Sequence, residues 1–189
     1  MEEVLKYSLS KEDYLEYYLY ESSTNKKTNA KRRRNWLLLS VSFSFITTIV
    51  FIENYKNLKL PFLIVSIATI IFYPLFEKFQ FKKFYATFID DNYTNRINTE
   101  CFVQFSEEYI FLKDKTGETK INKKELTEIS ETSKFIFIKN STGGHLILPK
   151  YKLQDNHSGF VKIIDELSVK NNLPYFKNLN WRWKSFLNI

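Results

Sequence analysis

Two unbroken apolar runs, WLLLSVSFSFITTIVFI (residues 36–52) and LPFLIVSIATIIFYPLF (60–76), stand out from a chain in which apolar and polar positions otherwise alternate. Neither carries an ionisable side chain. Each has 17 residues, which as a helix rises about 26 Å at ~1.5 Å per residue, slightly less than a ~30 Å hydrocarbon core. Asn35 and Lys59 can extend the two helices while their polar ends reach the headgroups. Lipid offers the backbone no hydrogen-bond partner, and these runs lack the alternation of a barrel strand, so the pattern predicts a transmembrane helical hairpin with loop 53–59. The competing reading is a helical hairpin buried in a soluble domain. Hydroxyl residues in the first run, Ser40 and Thr47 among them, fit helix contacts inside a membrane.

Around the hairpin the period changes. Residues 4–9 alternate as one short strand; Ser10 and Asp13 then read as a helix cap with an acidic first turn, opening a helix from Lys11 through Tyr20 with a broad tyrosine face. That face reads as packing or an interfacial surface. The polar patch ESSTNKKTN interrupts the helix, which resumes near Ala30. After the second run, EKFQFKKFYATFIDDNY continues as a helix until residues 92–99 break it. From Glu100 the period becomes two: CFVQF, YIFLK, ETKIN, LTEISET, KFIFIKN and HLILP are short strands joined by polar turns, with Gly143 and Gly144 supplying positive φ. Residues 158–171 then place Phe160, Ile163, Ile164 and Leu167 at helical spacing, an amphipathic helix on the sheet. The tail holds Trp181, Arg182, Trp183 and Lys184, suited equally to a membrane interface and to covering the sheet.

The expected fold class is therefore an α+β membrane protein: a two-helix transmembrane hairpin plus a small antiparallel β-sheet domain capped by a C-terminal helix. The domains read as an N-terminal strand and basic helical arm (1–35), the hairpin (36–76), a juxtamembrane helix and linker (77–99), and a cytoplasmic sheet domain with a tryptophan-rich tail (100–189).

Charge orients this arrangement. The net charge is +7, and the cations crowd the hairpin's flanks: Lys26, Lys27, Lys31, Arg32, Arg33 and Arg34 before it, Lys78, Lys82 and Lys83 after it. Because positive charge stays on the untranslocated side, both termini are expected in the cytoplasm, with loop 53–59 outside. Arg32, Arg33, Arg34, Lys78, Lys82 and Lys83 are accordingly the candidate contacts for anionic lipid headgroups. A KRRR run also suits nucleic acid, but beside a span the topological reading is preferred and no nucleic-acid partner is expected. One cysteine, Cys101, forms no internal disulfide, in keeping with a reducing compartment. Residues 1–35 hold no cleavable signal peptide, so the first span would serve as its own insertion signal.

No catalytic constellation is visible. His145 and His157 belong to no metal-binding spacing, the STGG turn lacks the ending of a phosphate loop, and Cys101 reads as a small buried residue. Hence no enzyme activity, cofactor or metal is expected.

The element order, with "YSLSKEDYLEYYLY" before the hairpin and "VQFSEEYIFLK…GETKINKKELTEISETSKFIFIKNSTGGHLILPKYKL" after it, resembles the YcxB-like family of small two-span bacterial membrane proteins. Pro149 and Lys150 in "HLILPKYKL" fall at that family's strand end; the family's tryptophan is absent where this chain reads Ile121, Asn122 and Lys123. The resemblance implies a C-terminal domain similar to pleckstrin-homology-like modules and supplies no reaction. Two functions follow as expectations. One is a non-enzymatic, membrane-anchored module that recruits a protein or anionic lipid at the inner leaflet, with Lys150, Tyr151 and Lys152 as partner contacts. The other is an immunity protein that neutralises a toxin, through its soluble domain or through Ser40, Ser44, Thr47, Ser66 and Ala68 of the hairpin; a homo-oligomer is left open.

Overall fold

The computed structural model describes residues 3–53, 55–152 and 157–186. Strand β1 (Glu3–Ser8) leads into helix α1 (Lys11–Thr24), then α2 (Lys26–Ile52) and α3 (Lys56–Tyr93). Strands β2 (Glu100–Phe105), β3 (Tyr109–Asp114), β4 (Gly117–Asn122), β5 (Leu126–Glu131), β6 (Phe135–Asn140) and β7 (His145–Pro149) follow. Helix α4 (His157–Lys170) and a last strand β8 (Tyr175–Lys177) close the order. The result is an α+β protein with long N-terminal helices, two small sheets and a C-terminal helix.

Local chemistry sets the helix boundaries. Ser10 and Asp13 cap α1 reciprocally: the Asp13 N–H donates to Ser10 Oγ (3.2 Å) and the Ser10 N–H to Asp13 Oδ2 (2.8 Å). The break in the polar patch falls at Asn25, whose side chain accepts from the Lys27 and Thr28 amides and restarts the helix at Lys26 rather than near Ala30. Only residues 53–55 separate α2 from α3, because the Leu58 and Lys59 amides already bond to the Tyr55 carbonyl. The loop is therefore shorter than the seven residues expected.

The chain forms two units, Met1–Tyr14 with Ile89–Arg182 and Leu15–Phe88 with Trp183–Ile189. In the first, one sheet has the order β1-β2-β3-β4 and the other β7-β6-β5-β8. Strand β1 is no separate arm: it pairs antiparallel with β2, Leu5 opposite Val103 and Tyr7 opposite Cys101. All pairings are antiparallel except β5 with β8, which is parallel, so the expected single antiparallel sheet is corrected to two sheets with one parallel edge. The extra strand enters after α4 and runs alongside β5. Val103, Ile110, Ile129, Ile136, Leu148 and Ile164 are fully buried between these elements, and α4 contributes Phe160 edge-on to Phe105. Gly143 has φ +85°, as its turn requires. Gly144 does not share that φ; a Cβ there would instead meet the Asn140 side chain at 3.2 Å.

The second unit is the α2/α3 hairpin with part of α1. Tyr18 stacks on Tyr85 of α3 (ring centroids 5.4 Å) and meets Phe88 edge-on, so this part of the tyrosine face is packing surface.

Candidate functional site

In the hairpin part of the polar set turns inward, while Ser42, Ser44 and Thr48 stay exposed. Arg32, Ser40, Thr47 and Val50 of α2 are buried, as are Ser66 and Glu77 of α3. Thr47 Oγ1 lies 2.6 Å from Ser66 Oγ, and the two hydroxyls reach the Phe43 carbonyl at 2.8 and 3.1 Å. The large apolar side chains turn outward: Leu38, Val41 and Phe45 of α2, and Leu60, Ile64 and Phe72 of α3, are all exposed. Both helices are long and apolar enough to cross a membrane, yet only 11% of the most apolar stretch of each is buried.

At the base of the hairpin Arg32 departs from its expected place among headgroups. Its side chain is 3% exposed and grips Glu77 with two bonds, Nε to Oε1 at 2.5 Å and Nη2 to Oε2 at 2.7 Å. Such a forked pair offsets the desolvation that a lone buried guanidinium would suffer. Three rings surround the cation: Phe81 at 4.8 Å, Trp183 at 5.0 Å and Phe186 at 5.6 Å from Cζ. Trp183 thus covers the hairpin base and not the sheet. Arg33, Arg34, Lys82 and Lys83 are exposed and Lys78 is half-buried. Of the six cations only Arg32 is buried, as an internal clamp. Its partner Glu77 was missed by sequence reasoning, although it is the first charge after the second apolar run.

Of the residues meant for a soluble partner, all three are engaged inside the sheet unit. Lys150 Nζ bonds to Glu131 Oε1 at 2.6 Å, with both side chains largely buried. Burial alone would raise the Glu131 carboxyl, but the bonds from Lys150 and from the Tyr175 hydroxyl (2.6 Å) hold it below the usual glutamate range. Tyr151 donates to Asp13 Oδ1 (2.7 Å) and Lys152 Nζ to the Ser8 carbonyl (2.5 Å), fastening the turn after β7 to the chain's first elements. Tyr151 and Lys152 keep an exposed face; Lys150 does not.

The sheet unit also holds a cleft of about 340 Å³ between the β3/β4 edge and the β6–β7 turn. Leu112, Ile121 and Cys101 give it apolar wall; Arg96, Asp114, Asn140 and His145 give it hydrogen-bonding groups. Arg96 is fixed by Thr116 Oγ1 (3.0 and 2.8 Å), and Asp114 Oδ1 accepts from the Thr116 amide and hydroxyl and the Gly117 amide. Burial would raise the Asp114 carboxyl, but these bonds and the Arg96 charge keep it below its ordinary value. Burial pushes the Cys101 thiol up, and its neighbour is the Tyr7 hydroxyl, so the thiol stays protonated at neutral pH. Among the described residues no group of three His, Cys, Asp or Glu side chains could hold a metal ion.

The fold and these sites define the chain as an α+β protein with two long apolar helices, a buried charge clamp and a two-sheet unit. A comparison with protein-family models, with curated proteins and with solved structures finds no match.

Proposed function

We propose that the protein is a non-enzymatic interaction module anchored in a bilayer by α2 and α3, which recruits a protein or an anionic lipid at the membrane surface. The observation that carries the reading is the inverted burial of the hairpin. In water an apolar helix buries its apolar face; here Ser40, Thr47, Ser66 and the Arg32–Glu77 pair are inside and most of the large apolar side chains outside, the arrangement a hydrocarbon solvent selects, while Ser42, Ser44 and Thr48 also face outward. The collar of Arg33, Arg34, Lys78, Lys82 and Lys83 lies beside the apolar stretches and keeps both termini in the cytoplasm of a bacterium, with residue 55 outside. It attracts anionic headgroups at about 1 kcal/mol per well-placed cation.

Two four-stranded sheets and one C-terminal helix make up the unit that we read, from the resemblance to YcxB-like proteins, as a pleckstrin-like domain. Recruitment of a protein falls to the sheet unit, through its cleft or the exposed faces of Tyr151 and Lys152. Thr47 and Ser66 are spent on helix-to-helix contact within the hairpin, and Ser40 is buried there, so these three offer little to a toxin in the membrane.

The test is extraction of the full chain into lipid discs directly from native membranes, followed by mass spectrometry of what accompanies it. A protein in defined stoichiometry, or enrichment of anionic lipid that falls when Arg33, Arg34, Lys82 and Lys83 are changed to glutamine, supports the reading. Bulk lipid composition with no protein partner contradicts it.

A further inference from the structure

We propose that residues 183–186 form a strap that holds shut a proline hinge in α3, so that release of the strap opens the base of the hairpin. Pro74 lies inside α3 and is buried. It has no N–H, so the Ile70 carbonyl four residues earlier loses its helical donor, and a helix bends most readily where a rung is missing. The opposite helix supplies the replacement: Trp36 Nε1 of α2 donates to the Ile70 carbonyl at 3.2 Å. Beyond the proline, Glu77 is tied back to α2 by Arg32. The hinge is thus bracketed by one cross-helix bond before it and the forked ion pair after it.

The strap braces both brackets. Trp183 Nε1 donates to the Lys78 carbonyl (3.2 Å), and its ring lies 5.0 Å from the Arg32 guanidinium. Phe186 reaches Arg32 at 5.6 Å and the Trp36 ring at 5.8 Å. These side chains keep water from the ion pair, whose strength depends on that exclusion. Lifting them hydrates Arg32 and Glu77 and frees Trp36, so that α3 can bend at Pro74. Residue 183 directly follows the last residue of the sheet unit, Arg182. A partner that draws the end of the sheet unit aside therefore pulls the strap, which gives binding on one unit a route to the hairpin.

The test uses the full chain in lipid discs with Cys101→Ser, spin labels at Lys31→Cys and Lys82→Cys near the base, and a second pair at Phe51→Cys and Leu60→Cys near the turn. A bend of about 20° at Pro74, acting over the eight residues to position 82 at ~1.5 Å each, moves the base label by about 4 Å. Trp183→Ala with Phe186→Ala is expected to lengthen and broaden the base distance by that amount and leave the turn distance unchanged. Trp36→Phe, which keeps the ring and removes the N–H, is expected to broaden the base distance as well. An unchanged base distance in either variant overturns the proposal, and so does equal broadening of both pairs, which would make the tail a general stabiliser of the hairpin.

Discussion

At the scale of single residues, the Arg32–Glu77 pair shows how position in a helix divides three adjacent arginines into two jobs. From Arg32 onward the buried or half-buried positions of α2 fall at 32, 36, 40, 43, 47 and 50, steps of three and four that trace one seam. Arg32 is on that seam; Arg33 and Arg34 are turned away from it. The hydroxyls at 40 and 47 mark the seam within the apolar run, but their seven-residue spacing extended backwards falls on Arg33; Arg32 lies on the seam because the steps back from 40 through 36 are both of four residues, and Glu77 required knowing how α3 faces α2. Removing one partner strands a buried charge, so Glu77→Ala is expected to destabilise the hairpin by about 3–5 kcal/mol, and Glu77→Ala with Arg32→Met by much less. Denaturant titration in detergent, followed by helix content, distinguishes the two. Thr47→Val, which breaks a hydroxyl contact only, should cost about 1 kcal/mol in the same measurement.

Glu131 carries a pH dependence of its own. Its carboxyl is held below the unfolded glutamate value, so its contribution to stability is complete above the ordinary glutamate range and is lost as pH falls through the lowered value. The melting temperature of the sheet unit should therefore drop between neutral and acid pH, and drop less in Glu131→Gln. Identical acid profiles for the two proteins would remove Glu131 from this role.

At the scale of elements, the main surprise is that the hairpin is inserted between two paired strands. Periodicity located β1 and each of β2 to β7, yet no local pattern tells a strand which distant partner it will take; pairing of Leu5 with Val103 is a tertiary fact. Strand β8 was harder still, since YFK is too short to show a period and its parallel place beside β5 follows from the path out of α4. Insertion has a consequence for truncation. A fragment starting at residue 100 lacks Leu5, Tyr7 and Leu9, all buried, and at about 2 kcal/mol for each such side chain the loss rivals a typical domain stability of ~5–15 kcal/mol. A chain that joins Tyr14 to Ile89 through a short flexible linker keeps them. Its ends lie close, since Lys11 bonds to Asp90 at 2.6 Å and the Tyr14 and Tyr93 rings are 4.7 Å apart. The excised form is expected to be water-soluble with one cooperative thermal transition, and the fragment from 100 to lack that transition. Equal behaviour of the two would mean that β1 is dispensable.

For the molecule as a whole, sequence and structure meet at the hairpin. The apolar runs alone left two readings, a membrane span and a soluble core, because both need apolar helices; the structure adds that the helices pair with each other and leave much of their apolar surface uncovered, which supports the span we propose. The binding surface was less legible. Lys150, Tyr151 and Lys152 are adjacent in sequence, but the folded chain spends them on Glu131, Asp13 and Ser8, while the cleft gathers residues from five separate strands and three turns. The account rests on α2 and α3 crossing a bilayer, and the most direct measurement is cysteine accessibility in intact bacterial cells with a membrane-impermeant maleimide. In a Cys101→Ser background, Tyr55→Cys in the turn is expected to label from outside, and Thr142→Cys in the β6–β7 turn only after the cells are permeabilised. Labelling of neither before permeabilisation, with release of the protein by alkaline carbonate, would contradict the membrane-spanning hairpin.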